Sequence, residues 1–224
     1  MKKFLRENSL TLAFGLLFLG ALVGQFFVGH ADFNERQLTA GLNEVSLGEY
    51  LVSSDFWVDV TENWQSEYLQ FFLYVTATVW LIQRGSPESK PPDKAGPQPD
   101  KEQQVGQYAS DSSPRWARVG GWRTRLYSNS LGLVMLLLFL FSWSMQSITG
   151  WYSYNSQQLQ DFMSPVGWLS YVGSPDFWNR SLQNWQSEFL AIASMAILSV
   201  WFRQHSSPES KPVGAAHSVS DRSG

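Results

Sequence analysis

Cysteine is absent from the chain. That excludes a thiol-redox enzyme, a cysteine-ligated zinc or iron–sulfur centre and any disulfide. Histidine is nearly as scarce: His30, His205 and His217 are scattered and make no metal site. No nucleophile elbow, phosphate loop or metal-binding helix motif occurs. The sequence therefore assigns no catalytic residue, metal or cofactor, and an enzyme is the least favoured function. Charge is missing locally: residues 8–31 and 126–160 contain no Asp, Glu, Lys or Arg. The formal net charge of -3 averages over that patterning and gives no reason to expect nucleic acid as a partner.

What is present is written twice. NWQSE occupies 63–67 and again 184–188, an offset of 121. The same offset superimposes NSL (8–10 on 129–131), LLFL (16–19 on 137–140), DFW (55–57 on 176–178) and SPESKP (86–91 on 207–212). No gap is needed from residue 8 to residue 91. Self-similarity of this extent is read as a tandem duplication before any other inference.

The uncharged stretches supply the first helix of each copy. LTLAFGLLFLGALVGQFFVG and LGLVMLLLFLFSWSMQSITG are each twenty residues, enough to cross a hydrocarbon layer of about 30 Å. The basic start MKKFLR and the small residues around Gly29–Ala31 leave a secretory signal as the alternative for the first run. Its length and its internal copy weigh against that. The second apolar block is shorter: 68–83 and 189–202 are uncharged. A helix starting at NWQSE would reach bilayer length, with Trp64 and Trp80, and Trp185 and Trp201, about 24 Å apart as interface anchors.

Basic residues set the expected sidedness. The linker 83–126 holds eight of them, whereas 31–67 holds eight acids against Arg36 alone, and 150–188 only Arg180. Lysine and arginine beside spans mark the cytoplasm. Both termini (Arg203, Lys211 and Arg222 in the tail) and the linker are thus expected inside, and two loops outside. Residues 92–113, rich in Pro, Gln, Ser and Asp, cannot bury enough surface to order themselves and are read as disordered. In the outer loops Asn34 has the form of a helix cap with Gly41 as a stop, and Ser46 with Glu49 fits a capping box.

The sharpest residues are Glu67 and Glu188. An ionisable group at membrane depth is a functional hypothesis by default. The favoured reading is plainer: each sits in the first turn of its helix, where the amide dipole favours an anion, and Asn63 and Asn184 are the N-caps. Gln25 and Gln146 are read as packing amides between helices. SPESKP is read as an exit cap with proline at a first helical position, and a docking motif is its alternative.

YSNSLGLVM, NWQSEFLA, RGSPESK and PRWARVGGWR resemble an uncharacterised bacterial family of small four-helix membrane proteins, classed as a domain of unknown function. The resemblance spans nearly the whole chain and implies a bacterial inner-membrane protein, without an activity or site residues. The expected fold is all-α, with four transmembrane helices from two parallel two-helix copies related by a pseudo-two-fold axis along the membrane normal. The first copy covers 1–91 (spans about 9–30 and 63–83), and a linker covers 92–122. The second copy covers 123–212 (spans about 129–150 and 184–203), and a tail covers 213–224. A structural or interaction module is the expected function, with membrane lipid, another membrane protein or a second copy of the chain as partner. Permeation of a small ion or solute, or proton coupling, through Glu67 and Glu188 is the alternative.

Overall fold

The computed structural model describes residues 1–220. Arg222 and the end of the expected tail lie outside the described residues. Among the described residues there is no strand. The helices are α1 (Lys2–Glu7), α2 (Ser9–Thr39), α3 (Leu47–Leu51), α4 (Ser54–Ala77), α5 (Arg115–Arg118), α6 (Gly121–Ser128), α7 (Ser130–Gln160), α8 (Trp168–Val172) and α9 (Pro175–Trp201). The linker carries single 3₁₀ turns at Pro92–Lys94 and Gly106–Tyr108 ahead of α5.

Local structure recurs at the 121-residue offset. Both α2 and α7 have 31 residues. Each is preceded by an asparagine that breaks the helix and bonds the carbonyl four residues back: Asn8 Nδ2 to Phe4 O at 2.9 Å, Asn129 Nδ2 to Arg125 O at 2.8 Å. Gly41, after α2, takes a φ of 74°. Its counterpart Phe162, wholly exposed, takes 59°, a region costly for any residue with a Cβ.

Two helices are long and apolar enough to cross a membrane, α2 and α7. The most apolar window of α2 is wholly unburied, and 22% of that of α7 is buried. Helices α4 and α9 do not qualify, because Asp55, Asp59, Glu62 and Glu67 in α4, and Asp176, Arg180 and Glu188 in α9, leave the apolar remainder of each short. Helix α4 ends at Ala77, so the block expected to span to residue 83 is not helical to its end, and Trp80 lies in a turn beyond it. Trp201 is the last residue of α9.

The expectation that these helices begin at NWQSE is corrected. Their N-caps are Ser53, whose Oγ accepts Phe56 N–H at 3.2 Å, and Ser174, whose Oγ accepts Phe177 N–H at 3.3 Å. Pro175 supplies the first position of α9, and Asp55 and Asp176 place a carboxylate in the first turn. Asn63 and Asn184 are interior residues, and neither Glu67 nor Glu188 lies in a first turn. Ser-Ser-Asp and Ser-Pro-Asp carry that start signal.

The chain divides into two compact units, one of residues 1–61 with 145–177, the other of residues 62–144 with the chain from Trp178. Each unit draws on both copies. The first is built on rings: Tyr50 is buried against Phe33 and Phe56 at 5.6 Å, His30 at 5.7 Å and Phe26 at 5.9 Å, and Tyr171 against Tyr154 and Phe177 at 5.4 and 5.7 Å. Asn34, read as a cap, is interior to α2, and its amide clamps the following loop. It accepts Val45 N–H at 2.8 Å and donates to Val45 O at 3.0 Å. Asn155 does the same to Val166, at 2.8 and 3.0 Å. The capping box of Ser46 and Glu49 is formed. The Ser46 N–H and hydroxyl hold the Glu49 carboxyl below its ordinary range. In the second unit Trp143 stacks on Phe139 at 5.4 Å and meets Trp185 and Trp178 at 5.9 and 6.1 Å.

Candidate functional site

The two pentapeptides meet in the second unit. Trp185 Nε1 donates to Gln65 Oε1 at 2.8 Å, and the Ser66 hydroxyl, which donates to Asn63 O at 2.9 Å, lies beside the Glu188 carboxylate. One turn further along α4, Gln70 Nε2 reaches Glu188 O at 3.4 Å. One turn before, Arg180 pairs with Glu62 at 3.2 Å. The Glu67 carboxylate lies close enough to act electrostatically on Glu188. NWQSE is thus a helix–helix contact of side chains, not a helix start.

The contact is one-sided. Gln65 and Ser66 are fully buried, whereas their counterparts Gln186 and Ser187 are exposed. Gln146 is fully buried and Gln25 only partly so. Trp143, at the centre of the tryptophan cluster, has Leu22 as its counterpart. Identical letters therefore occupy unlike environments, and residues that differ between the copies decide which one is buried. Of the anchor tryptophans, Trp80 and Trp201 are exposed and Trp64 and Trp185 half-buried.

SPESK folds into a turn, not the helical start expected. In both copies a backbone N–H before the motif bonds its second serine: Gln83 N to Ser89 Oγ at 2.9 Å, Gln204 N to Ser210 Oγ at 2.9 Å. The lysine then fixes the chain that follows. Lys90 Nζ donates to Gly96 O at 2.8 Å, and Lys211 Nζ to Ala216, His217 and Val219 carbonyls at 3.0–3.3 Å. Lys211 is 1% exposed, and burial, with Arg203 second, lowers its pKa. Lys211→Met keeps the apolar stem and removes the donor. Protease cleavage within 213–220 is expected to accelerate several-fold with little change in global melting, and an unchanged cleavage rate would refute this role. The motif glutamates pair with each other instead: Glu209 is hydrogen-bonded to Glu88, which also accepts the Tyr74 hydroxyl. That bond to Glu88 is the first cause raising the Glu209 pKa.

In the first unit a polar cavity of 440 Å³ is lined by Arg36, Gln37, Asp55, Gln157, Gln160 and Asp161. Arg36 is partnered by Asp32 at 3.1 Å. Among the described residues no three His, Cys, Asp or Glu side chains are grouped to hold a metal ion. Beneath the loop, burial above all, with Asp59 and Asp55 next, pushes the Tyr50 hydroxyl up to about 12. A phenol held neutral in the fold stabilises it fully below pH 10, and that contribution is lost as pH rises from about 10 to 12. Alkaline denaturation should therefore steepen over that interval, and in Tyr50→Phe it should flatten. Parallel curves for the two proteins would contradict the assignment.

A family model described as a domain of unknown function (DUF6766) matches residues 1–222. No curated protein and no solved structure matches the chain. The family description carries no activity, membrane location or source organism, so the site's chemistry rests on the geometry alone.

Proposed function

Starting from a chain that belongs to the DUF6766 family, a domain of unknown function, we propose a multi-pass protein of a bacterial inner membrane. It works as a structural or interaction module, not as an enzyme. Its four spans come from two tandem copies of a two-helix unit in parallel orientation, about an approximate two-fold axis along the membrane normal. The observation that carries this reading is the pair α2 and α7: equal in length, offset by 121, and apolar over a bilayer's thickness. The unburied apolar surface of α2 is what lipid, another membrane protein or a second copy would cover. For α4 and α9 support comes from the uncharged blocks 68–83 and 189–202, ending near exposed Trp80 and Trp201.

Reporter fusions after residues 45, 100, 165 and 224 should read outside, inside, outside and inside. An extracytoplasmic signal at 100 would overturn the charge argument and the four-span topology with it. A second reading, movement of a proton or small ion past Glu67 and Glu188, draws on the electrostatic contact between these carboxylates. Proteoliposomes that leak protons no faster than empty vesicles would end it.

A further inference from the structure

The C-terminal half of α4, the SPESK turn after it and α9 line two adjoining open grooves of 280 and 240 Å³. They share a wall made by Tyr74, Glu88 and Ile192. The larger is walled mainly by Leu73, Ala77, Leu81, Phe189, Ile192 and Ala196, and Ser86, Ser89 and Glu88 close one side. The smaller adds Gln70, Phe71 and Met195. Among the described residues none that lines either groove is basic. The two lysines nearest in sequence are directed elsewhere, each spending its ammonium group on backbone carbonyls. Glu88 therefore lines an apolar, partly aromatic groove, and the exposed Glu209 lies against it at the groove's edge.

We propose that this groove is a binding site for a monovalent organic cation with an apolar body, such as a quaternary ammonium bearing an aromatic ring. Glu88 and Glu209 would balance the charge, the Tyr74 and Phe189 rings would face the ammonium methyl groups, and the aliphatic wall would cover the body. Among the described residues no three His, Cys, Asp or Glu side chains are grouped here as a metal ion would need. A cation gains the attraction of both carboxylates, which a neutral ligand of the same shape does not. The groups facing this pair are Tyr74 from α4, Glu88 from the first turn and Glu209 from the second. Helix α9 contributes only Phe189, Ile192 and Ala196 to the larger groove, and none of these titrates.

The site goes beyond the membrane module proposed above, and its test in detergent does not depend on topology. The probe is benzyltrimethylammonium, added to the full-length protein and followed by calorimetry and by the unfolding midpoint. Saturable binding is expected at pH 8, and weaker binding at acid pH, where protonation removes carboxylate charge. The pair Glu88→Gln and Glu209→Gln keeps the acceptor for Tyr74 and should weaken binding at least tenfold. Ala196→Leu fills the groove, leaves both carboxylates in place and should weaken it comparably. Should that variant not fold, Ala77→Leu fills the same space from α4. Undiminished binding in the glutamine pair or in the filled variant overturns the site. So does equal binding of neopentylbenzene, the uncharged carbon counterpart, or equal stabilisation by sodium chloride.

Discussion

Gly150→Ala is expected to destabilise the protein by about 1–2 kcal/mol, although alanine is ordinarily the better helix former by about 1 kcal/mol. The position lies inside α7, where backbone propensity favours the change. Geometry opposes it: a Cβ there would lie 2.3 Å from Tyr171 Oη and 3.1 Å from its Cζ. The Tyr171 ring cannot swing aside, being wholly buried between Tyr154 and Phe177, with its hydroxyl donating to Asp176 at 3.3 Å. The overlap therefore outweighs the propensity gain. Gly29 stands in the same relation to Tyr50, at 2.4 Å from the hydroxyl, so Gly29→Ala should cost a similar amount. Adding Tyr171→Phe to Gly150→Ala removes the nearest atom and should restore more than half of the loss, a coupling a double-mutant cycle resolves. If Gly150→Ala melts at or above the parent, the tyrosine does not pack there.

Asn34→Ala should cost about 1–3 kcal/mol, because it strands a backbone N–H under a loop. The Asn34 amide serves both polar groups of Val45. Loss of the donor half is cushioned, since His30 Nε2 also contacts Val45 O at 2.7 Å. Loss of the acceptor half is not. The equivalent Asn155→Ala should behave alike, because Trp151 Nε1 donates to Val166 O at 2.7 Å, as the imidazole does in the first copy. Asn34→Asp keeps the acceptor and gives up the amide donor, so the Val45 amide should exchange slowly in Asn34→Asp and fast in Asn34→Ala. Equal exchange in both would show that the side chain is not what protects it.

The helical class, the two apolar helices and the 121-residue register were legible because they are local properties of the chain. A run without charge and an offset that matches letters need no knowledge of what lies opposite. The caps at Ser53 and Ser174 are equally local signals, but bilayer length and the uncharged blocks point to NWQSE as the start and so to Asn63 and Asn184 as caps. What only the tertiary structure decided is how equal letters come to differ. Gln65 and Gln186 stand in the same pentapeptide, yet one is buried under Trp185 and the other is exposed. Likewise Gly29 and Gly150 are required by rings 21 positions downstream, and the SPESK glutamates meet each other while their lysines turn to carbonyls. Burial and pairing depend on partners brought together from distant positions. A repeat fixes what each copy can offer, and the neighbours that are not repeated, Trp143 against Leu22 and Tyr74 against Met195, fix which offer is taken up.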